Sequence, residues 1–454
     1  MPSAHFIGIG GSGLSAIAEI LLASGWHVSG SDQTLSPFAR TLAERGAVVH
    51  EGHSASNLNG AELVIISSAI AADNIEVVAA KQRGLPILKR ADFLGRLMTG
   101  RLGIAVAGTH GKTTTTGLIA FLLDKCGFDP TFIVGGVLQD YGTNARAGQG
   151  PFVIEADEYD RMFLGLLPTI AVVTNIEHDH PDIYPTLAEF REAFRAFAEL
   201  LPADGILIAC ADDPGARDLA EARRTQNLPT ILYGLGADAQ YRAEELQPNG
   251  AGGFDFLLSK DGRSLGLARN RLPGRHNVLN SLAALAVADQ VGAEFNAARN
   301  ALAEFHGAGR RFEVKGEARG VTVVDDYAHH PTEIKATLAA ARLRFAGRSL
   351  WVLFQPHTYS RVRALRAEFA NSFADADHVI MVDIYRSREA HDPSLTSEDL
   401  VRAMRHRDAR YIATLPAAAA ELCARLQAGD VLLTLGAGDG NWVGQEVLRQ
   451  LGGA

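Results

Sequence analysis

The chain has 454 residues, 47% apolar and 21% charged, with 43 Lys and Arg against 52 Asp and Glu for a net charge of −9. This composition excludes a disordered chain, a collagen and a coiled coil, and an acidic chain is a poor partner for nucleic acid or anionic membranes. Its three cysteines, Cys126, Cys210 and Cys423, are far apart, which excludes a disulfide scaffold or a Cys-based zinc site.

No apolar run approaches the roughly 20 residues of a membrane span. The N-terminus lacks a basic segment followed by an apolar one, so the expected location is the cytoplasm. Length alone suggests about three domains at roughly 150 residues each. Short apolar strands alternate with amphipathic helices nearly throughout, which predicts an α/β chain with mainly parallel sheets.

The first block opens with a strand at His5–Ile9, the turn Gly8-Ile9-Gly10-Gly11-Ser12-Gly13, a helix over Leu14–Ser24 and a strand at His27–Ser31 followed by Asp32. G-x-G-x-x-G between strand and helix, with an acid after the next strand, is the dinucleotide fingerprint: glycines let a diphosphate approach the unpaired N–H groups of the helix N-terminus. A nicotinamide dinucleotide, and with it an oxidoreductase, is the first reading of that motif. Another nucleotide diphosphate satisfies the same physics.

The second block starts with the strand Leu102–Ala107, then Gly108-Thr109-His110-Gly111-Lys112-Thr113-Thr114, then a helix to about Cys126. Gly-Lys-Thr at a strand-to-helix junction is a phosphate loop, in which N–H groups cradle phosphate, the lysine reaches the β/γ oxygens and a threonine holds Mg²⁺. The loop is shorter than the usual one, since Val106 stands where its first glycine would be. Strands at Phe152–Ile154 and Ile170–Thr174 end in acids and histidines, with Glu155 the foremost candidate for Mg²⁺ and His180 open between ligand and turn. A helix over Leu187–Leu201 follows. The glycine-rich stretch Tyr241–Arg271 predicts a small antiparallel sheet, and a helix over Asn277–Val291 closes the block.

The third block has predicted strands at Val321–Val324, Leu350–Phe354, His378–Val382 and Val431–Leu435. Predicted helices at Pro331–Ala341, Leu365–Phe373, Pro416–Leu426 and Trp442–Leu451 alternate with them. Two strand ends are dense in chemistry: Asp325-Asp326-Tyr327-Ala328-His329-His330 and His357-Thr358-Tyr359-Ser360-Arg361, where an arginine can fork onto a carboxylate.

Gly8–Ser15, Gly30–Asp32, Ser67–Ile70, Gly108–Thr114, Glu155–Glu158, Thr174–Asp182, Leu272–Asn280, Arg310–Phe312, Asp325–Glu333 and Phe354–Arg361 together resemble the Mur ligase family along nearly the whole chain. The resemblance implies three domains: 1–99, Rossmann-like and binding UDP-N-acetylmuramate; 100–309, a central ATPase; and 310–454, Rossmann-like and binding the amino acid. It assigns Gly8, Gly10, Gly11, Ser12, Gly13, Ser31, Asp32, Ser68 and His110 to the nucleotide sugar, displacing the nicotinamide reading. ATP falls to Gly108–Thr114, Asn277, Arg311, Asp326 and His329, and Mg²⁺ to Thr113, Glu155 and His180. His357 and Arg361 would face the incoming amino acid; Lys112 and His180 complete the catalytic set. Relatives that add later residues carry a carbamylated lysine on the helix after the His180 motif, yet no lysine occurs between Lys125 and Lys260. That implies the branch that joins L-alanine to UDP-N-acetylmuramate, the recycling ligase for a murein tripeptide being the alternative. Thr358 stands where some relatives have arginine. A monomer or dimer acting on small molecules is expected.

Overall fold

A computed structural model describes residues 1–67 and 69–453. Three sheets organise the α/β chain. The first is wholly parallel, in the order Val48–Glu51, His27–Asp32, Ser3–Ile7, Leu63–Ile66, Ile87–Lys89. The order reverses at Ser3–Ile7, so the glycine turn that follows this strand opens into the crevice where such sheets bind ligands.

The second sheet has ten strands. Its parallel centre is Thr230–Gly234, Ile206–Cys210, Ile170–Val173, Gly103–Ala107, Phe152–Glu155 and Thr131–Leu138. The expected antiparallel part is present as Tyr241–Pro248, Phe254–Lys260 and Arg263–Arg269. At the other edge Thr131–Leu138 turns back on Thr143–Arg146, a hairpin that sequence reasoning did not foresee. Its glycines, Gly135 and Gly136, broke the apolar pattern. Gly135 has no room for a side chain: a Cβ there would lie 2.6 Å from Glu155 Oε2.

The helix Lys112–Lys125 is buried from Thr113 to Leu123 and packs on Arg275–Val291. Being buried all round, it shows no amphipathic period. The third sheet runs Glu313–Ala318, Val321–Asp326, Val431–Leu435, Leu350–Phe354, His378–Met381, Ala409–Tyr411, parallel except at its first edge.

The single helix expected over Leu365–Phe373 is instead two short ones, Tyr359–Ala364 and Arg366–Ala370, broken at Leu365 with φ −116° and ψ 26°. The first begins earlier because Glu389 accepts from the backbone N–H groups of Tyr359 and Ser360, satisfying donors that a helix N-terminus otherwise leaves orphaned. No helix among the described residues is long and apolar enough to cross a membrane.

Candidate active site

The phosphate loop is built by two glycines that no other residue replaces. Gly108 has φ +139°, and a Cβ there would sit 1.9 Å from Thr174 Oγ1; Gly111 has φ +81° and caps the helix Lys112–Lys125. Gly108→Ala should therefore deform the loop and cost several kcal/mol of stability together with turnover, by overpacking and backbone strain. Thermal unfolding and a rate assay on the same preparation check this.

Lys112 Nζ donates to the carbonyls of Gly108 (2.6 Å) and Thr109 (3.2 Å) and pairs with Glu158 at 2.8 Å. Burial opposes its charge, but Glu158, Asp157 and Glu155 outweigh that and raise its pKa. Glu158 is 1% exposed, and its carboxyl is held below the ordinary range by Lys112 and His180 despite burial. Thr113 Oγ1 donates to both oxygens of Glu155 at 3.0 and 3.1 Å, and Gly135 N–H donates to Oε2 at 2.7 Å. Thr113 and Glu155 thus stand together as the hard oxygen donors that Mg²⁺ prefers. His180, at φ 54°, faces Glu158 instead, Nε2 to Oε1 3.6 Å.

These groups line a cleft of about 690 Å³ that reaches all three sheets. Ser12 and Gly13 border it from the first, Gly111, Lys112, Thr113, Glu155 and His180 from the second, and Arg311, His329, His357 and Arg361 from the third. Asparagine side-chain contact fixes the approach: Asn144 Nδ2 donates to Ser12 O at 3.1 Å.

The other N-terminal candidates hold the turn. Asp32 accepts from the N–H groups of Gly10 and Gln33, both at 2.8 Å, and a Cβ on Gly10 would strike its Oδ2. Ser31 is fully buried and donates to Glu76, so its hydroxyl belongs to an internal network with His53. Gly8 has φ +89°, and Gly11 N–H closes the turn onto Gly8 O at 3.2 Å. Ser68 lies outside the described residues.

On the C-terminal side of the cleft, Arg361 is 3% exposed and its planar fork already grips Asp179, Nε to Oδ1 2.8 Å and Nη2 to Oδ2 3.2 Å. Its Nη1 donates to His357 Nδ1 at 3.1 Å. Burial and Arg361 push His357 down to about 4, while burial takes His329 to about 3, so both rings are neutral near pH 7. Their tautomers then differ. His357 Nδ1 accepts, leaving Nε2–H a donor; His329 Nδ1 donates to Tyr327 O at 2.9 Å, leaving Nε2 an acceptor.

A second, narrower pocket of about 240 Å³ adjoins the loop and is lined by Thr114, Leu272, Asn277, Phe312 and Asp326 among others. Asn277 is 7% exposed and opens the helix Arg275–Val291. Asp326 accepts from the N–H groups of Phe312 (2.7 Å) and Ala328 (2.8 Å), and burial raises its pKa to about 6. Beside it, His110 joins two domains: Nε2 lies 2.9 Å from Glu177 and Nδ1 3.3 Å from Glu333. Burial alone would lower its pKa, but hydrogen bonds and charge from both carboxylates raise it to about 9. Sequence reasoning missed Glu333 and Asp179 as partners because His110–Glu333 and Arg361–Asp179 form only across the domain interface, and Glu177 because it meets His110 from 67 residues away on another strand end.

The His110 contact carries a sign. A histidine raised above its unfolded value stabilises fully below pH 6.5 and loses that contribution as pH rises through about 9. The melting-temperature advantage of the native chain over His110→Asn should be full at pH 6 and vanish by about pH 10, reflecting up to about 3 kcal/mol. A pH-independent difference would refute it.

A chain with a glycine turn for a nucleotide, a phosphate loop and a third ligand-binding domain round one cleft has the form of a three-domain ATP-using ligase. Residues 3–101 match the Mur ligase family, catalytic domain; 106–288 match the Mur ligase middle domain; and 310–438 match the Mur ligase, glutamate ligase domain. The chain belongs to the Mur ligase family. The UDP-N-acetylmuramate–L-alanine ligase of Roseiflexus sp. (strain RS-1) is 45% identical over 466 residues, covering 98% of each chain. Among solved structures, the UDP-N-acetylmuramate–alanine ligase of Thermotoga maritima is 28% identical with TM-score 0.84, covering 99% of each chain. A murein peptide ligase from Psychrobacter arcticus is 26% identical with TM-score 0.73, covering 100% of this chain and 99% of the other.

Proposed function

We propose that this protein joins L-alanine to the lactyl carboxylate of UDP-N-acetylmuramate at the expense of ATP, in peptidoglycan precursor synthesis. The observation that carries the reading is the single cleft that brings together the glycine turn, Lys112 and the His357–Arg361 segment. The names borne by the relatives at 45–46% identity agree with it. The functional units are taken as 1–99, 100–309 and 310–454.

In this reading the sugar nucleotide lies on Gly8–Gly13, and ATP runs from the narrow pocket, with its base and ribose beside Asn277 and Asp326, to the loop Gly108–Thr114; His329, expected at the ribose, lines the large cleft against the His357 ring instead. Thr113 and Glu155 would hold Mg²⁺, joined by His180 once it turns from Glu158, and the ion would supply charge neutralisation for phosphoryl transfer. Lys112 leaves Glu158 for the γ-phosphate oxygens. The lactyl carboxylate attacks the γ-phosphorus, ADP leaves, and an acyl phosphate forms. The alanine ammonium loses a proton to solvent, the free amine attacks the acyl carbon, nitrogen sheds a second proton, the C–O bond breaks, and phosphate leaves. Phosphoryl transfer of this kind asks the protein mainly for position and charge. His329 Nε2 offers a lone pair to the alanine ammonium, and His357 Nε2–H a donor to an oxyanion.

The acceptor is tested by ADP formation with UDP-N-acetylmuramate and either L-alanine or the stem tripeptide. The expected result is a much higher kcat/KM with L-alanine. A higher value for the tripeptide would establish the recycling reaction instead.

A further inference from the structure

Arg90 is a half-buried cation that has no partner among the described residues. It is the first residue of the helix Arg90–Met98, directly after the strand Ile87–Lys89 of the first sheet. A positive charge is disfavoured at a helix N-terminus, where the backbone dipole attracts anions. Among the described residues its guanidinium makes no hydrogen bond or ion pair; Nε is cut off from solvent and unsatisfied. It lies flat across the glycine turn, since a Cβ on Gly13 would fall 2.5 Å from Arg90 Cζ and 2.6 Å from Nη1. It also lines the large cleft. The balancing negative charge of Asp157 and Glu155 acts only through space. A desolvated donor left without a partner is destabilising, the more so when charged, so such a group persists where a ligand completes it.

We propose that Arg90 is a substrate-binding residue whose guanidinium grips the diphosphate of the nucleotide sugar as it leaves the glycine turn for the phosphate loop. This rests on the donor reading above. It also gives Gly13 a reason beyond close approach of the ligand: any side chain there would displace the guanidinium. The fork matches phosphate oxygens bidentately, which an ammonium does not. Placed between the turn and Lys112, it would hold the sugar end of the donor pointing at the ATP site.

The test compares binding of UDP, uridine and UDP-N-acetylmuramate to the full chain by titration calorimetry, for the native protein, Arg90→Ala and Arg90→Lys. Removing a charge-assisted pair of hydrogen bonds should weaken UDP by about 10- to 100-fold in Arg90→Ala while uridine stays within about twofold. Arg90→Lys should recover part of the loss, and KM for ATP should not move. Equal losses for UDP and uridine would mean mere packing and overturn the assignment, as would unchanged UDP binding. A loss for UDP-N-acetylmuramate alone would place the guanidinium on the lactyl carboxylate and also overturn it. Native protein that ligates L-alanine normally isolates any such failure to Arg90; native protein that binds no UDP brings down the donor reading as well.

Discussion

Lys112→Ala is expected to fold and to lose at least about 10²–10³-fold in kcat, the typical cost of one preorganised donor to developing charge. The lysine begins the helix Lys112–Lys125, where a cation is stable only against anions. In the structure the anion is Glu158, helped by the loop carbonyls as acceptors, so the side chain lies across the loop. The same substitution strands Glu158, which is 1% exposed, and breaking such a pair costs about 3–5 kcal/mol. Lys112→Ala paired with Glu158→Gln should restore stability without restoring turnover. Activity returning with stability would show that Lys112 serves the fold and not the chemistry.

Arg361→Lys should raise KM for L-alanine by about tenfold or more while KM for ATP changes little, because the charge remains but the planar fork is lost. The structure sharpens this expectation. Arg361 holds Asp179 across the interface between the central and C-terminal domains and also anchors His357 Nδ1. Losing the fork loosens the acceptor side whether the alanine carboxylate displaces Asp179 or is placed through His357. Arg361→Ala should be far worse, since Asp179 is then buried without a partner, at about 3–5 kcal/mol. Equal changes in both KM values would leave Arg361 a domain clamp with no part in acceptor binding.

Much of this was legible in the residues. Strand-ending clusters such as Glu155–Glu158, Asp325–His330 and His357–Arg361 do converge on one cleft, with Asp326 in the adjoining pocket, because parallel sheets present their C-terminal edges together. The hairpin Thr131–Arg146 was hidden by glycines that make room for Glu155. The broken helix after Phe354 was hidden because Glu389, a distant residue, supplies its N-terminal acceptor. Partnerships such as Arg361–Asp179 and His110–Glu333 span 182 and 223 residues and belong to domain contact, which local spacing does not encode. Ser31 shows the converse: placed beside Asp32 in a binding motif, it folds inward onto Glu76.

The central claim is that the cleft activates the lactyl carboxylate as an acyl phosphate before alanine attacks. It is tested most directly by turnover with UDP-N-acetylmuramate carrying oxygen-18 in that carboxylate, followed by mass spectrometry of the phosphate released. The account requires one labelled oxygen to appear in each phosphate, formed only when ATP and L-alanine are both present. Unlabelled phosphate accompanying the amide product would contradict it.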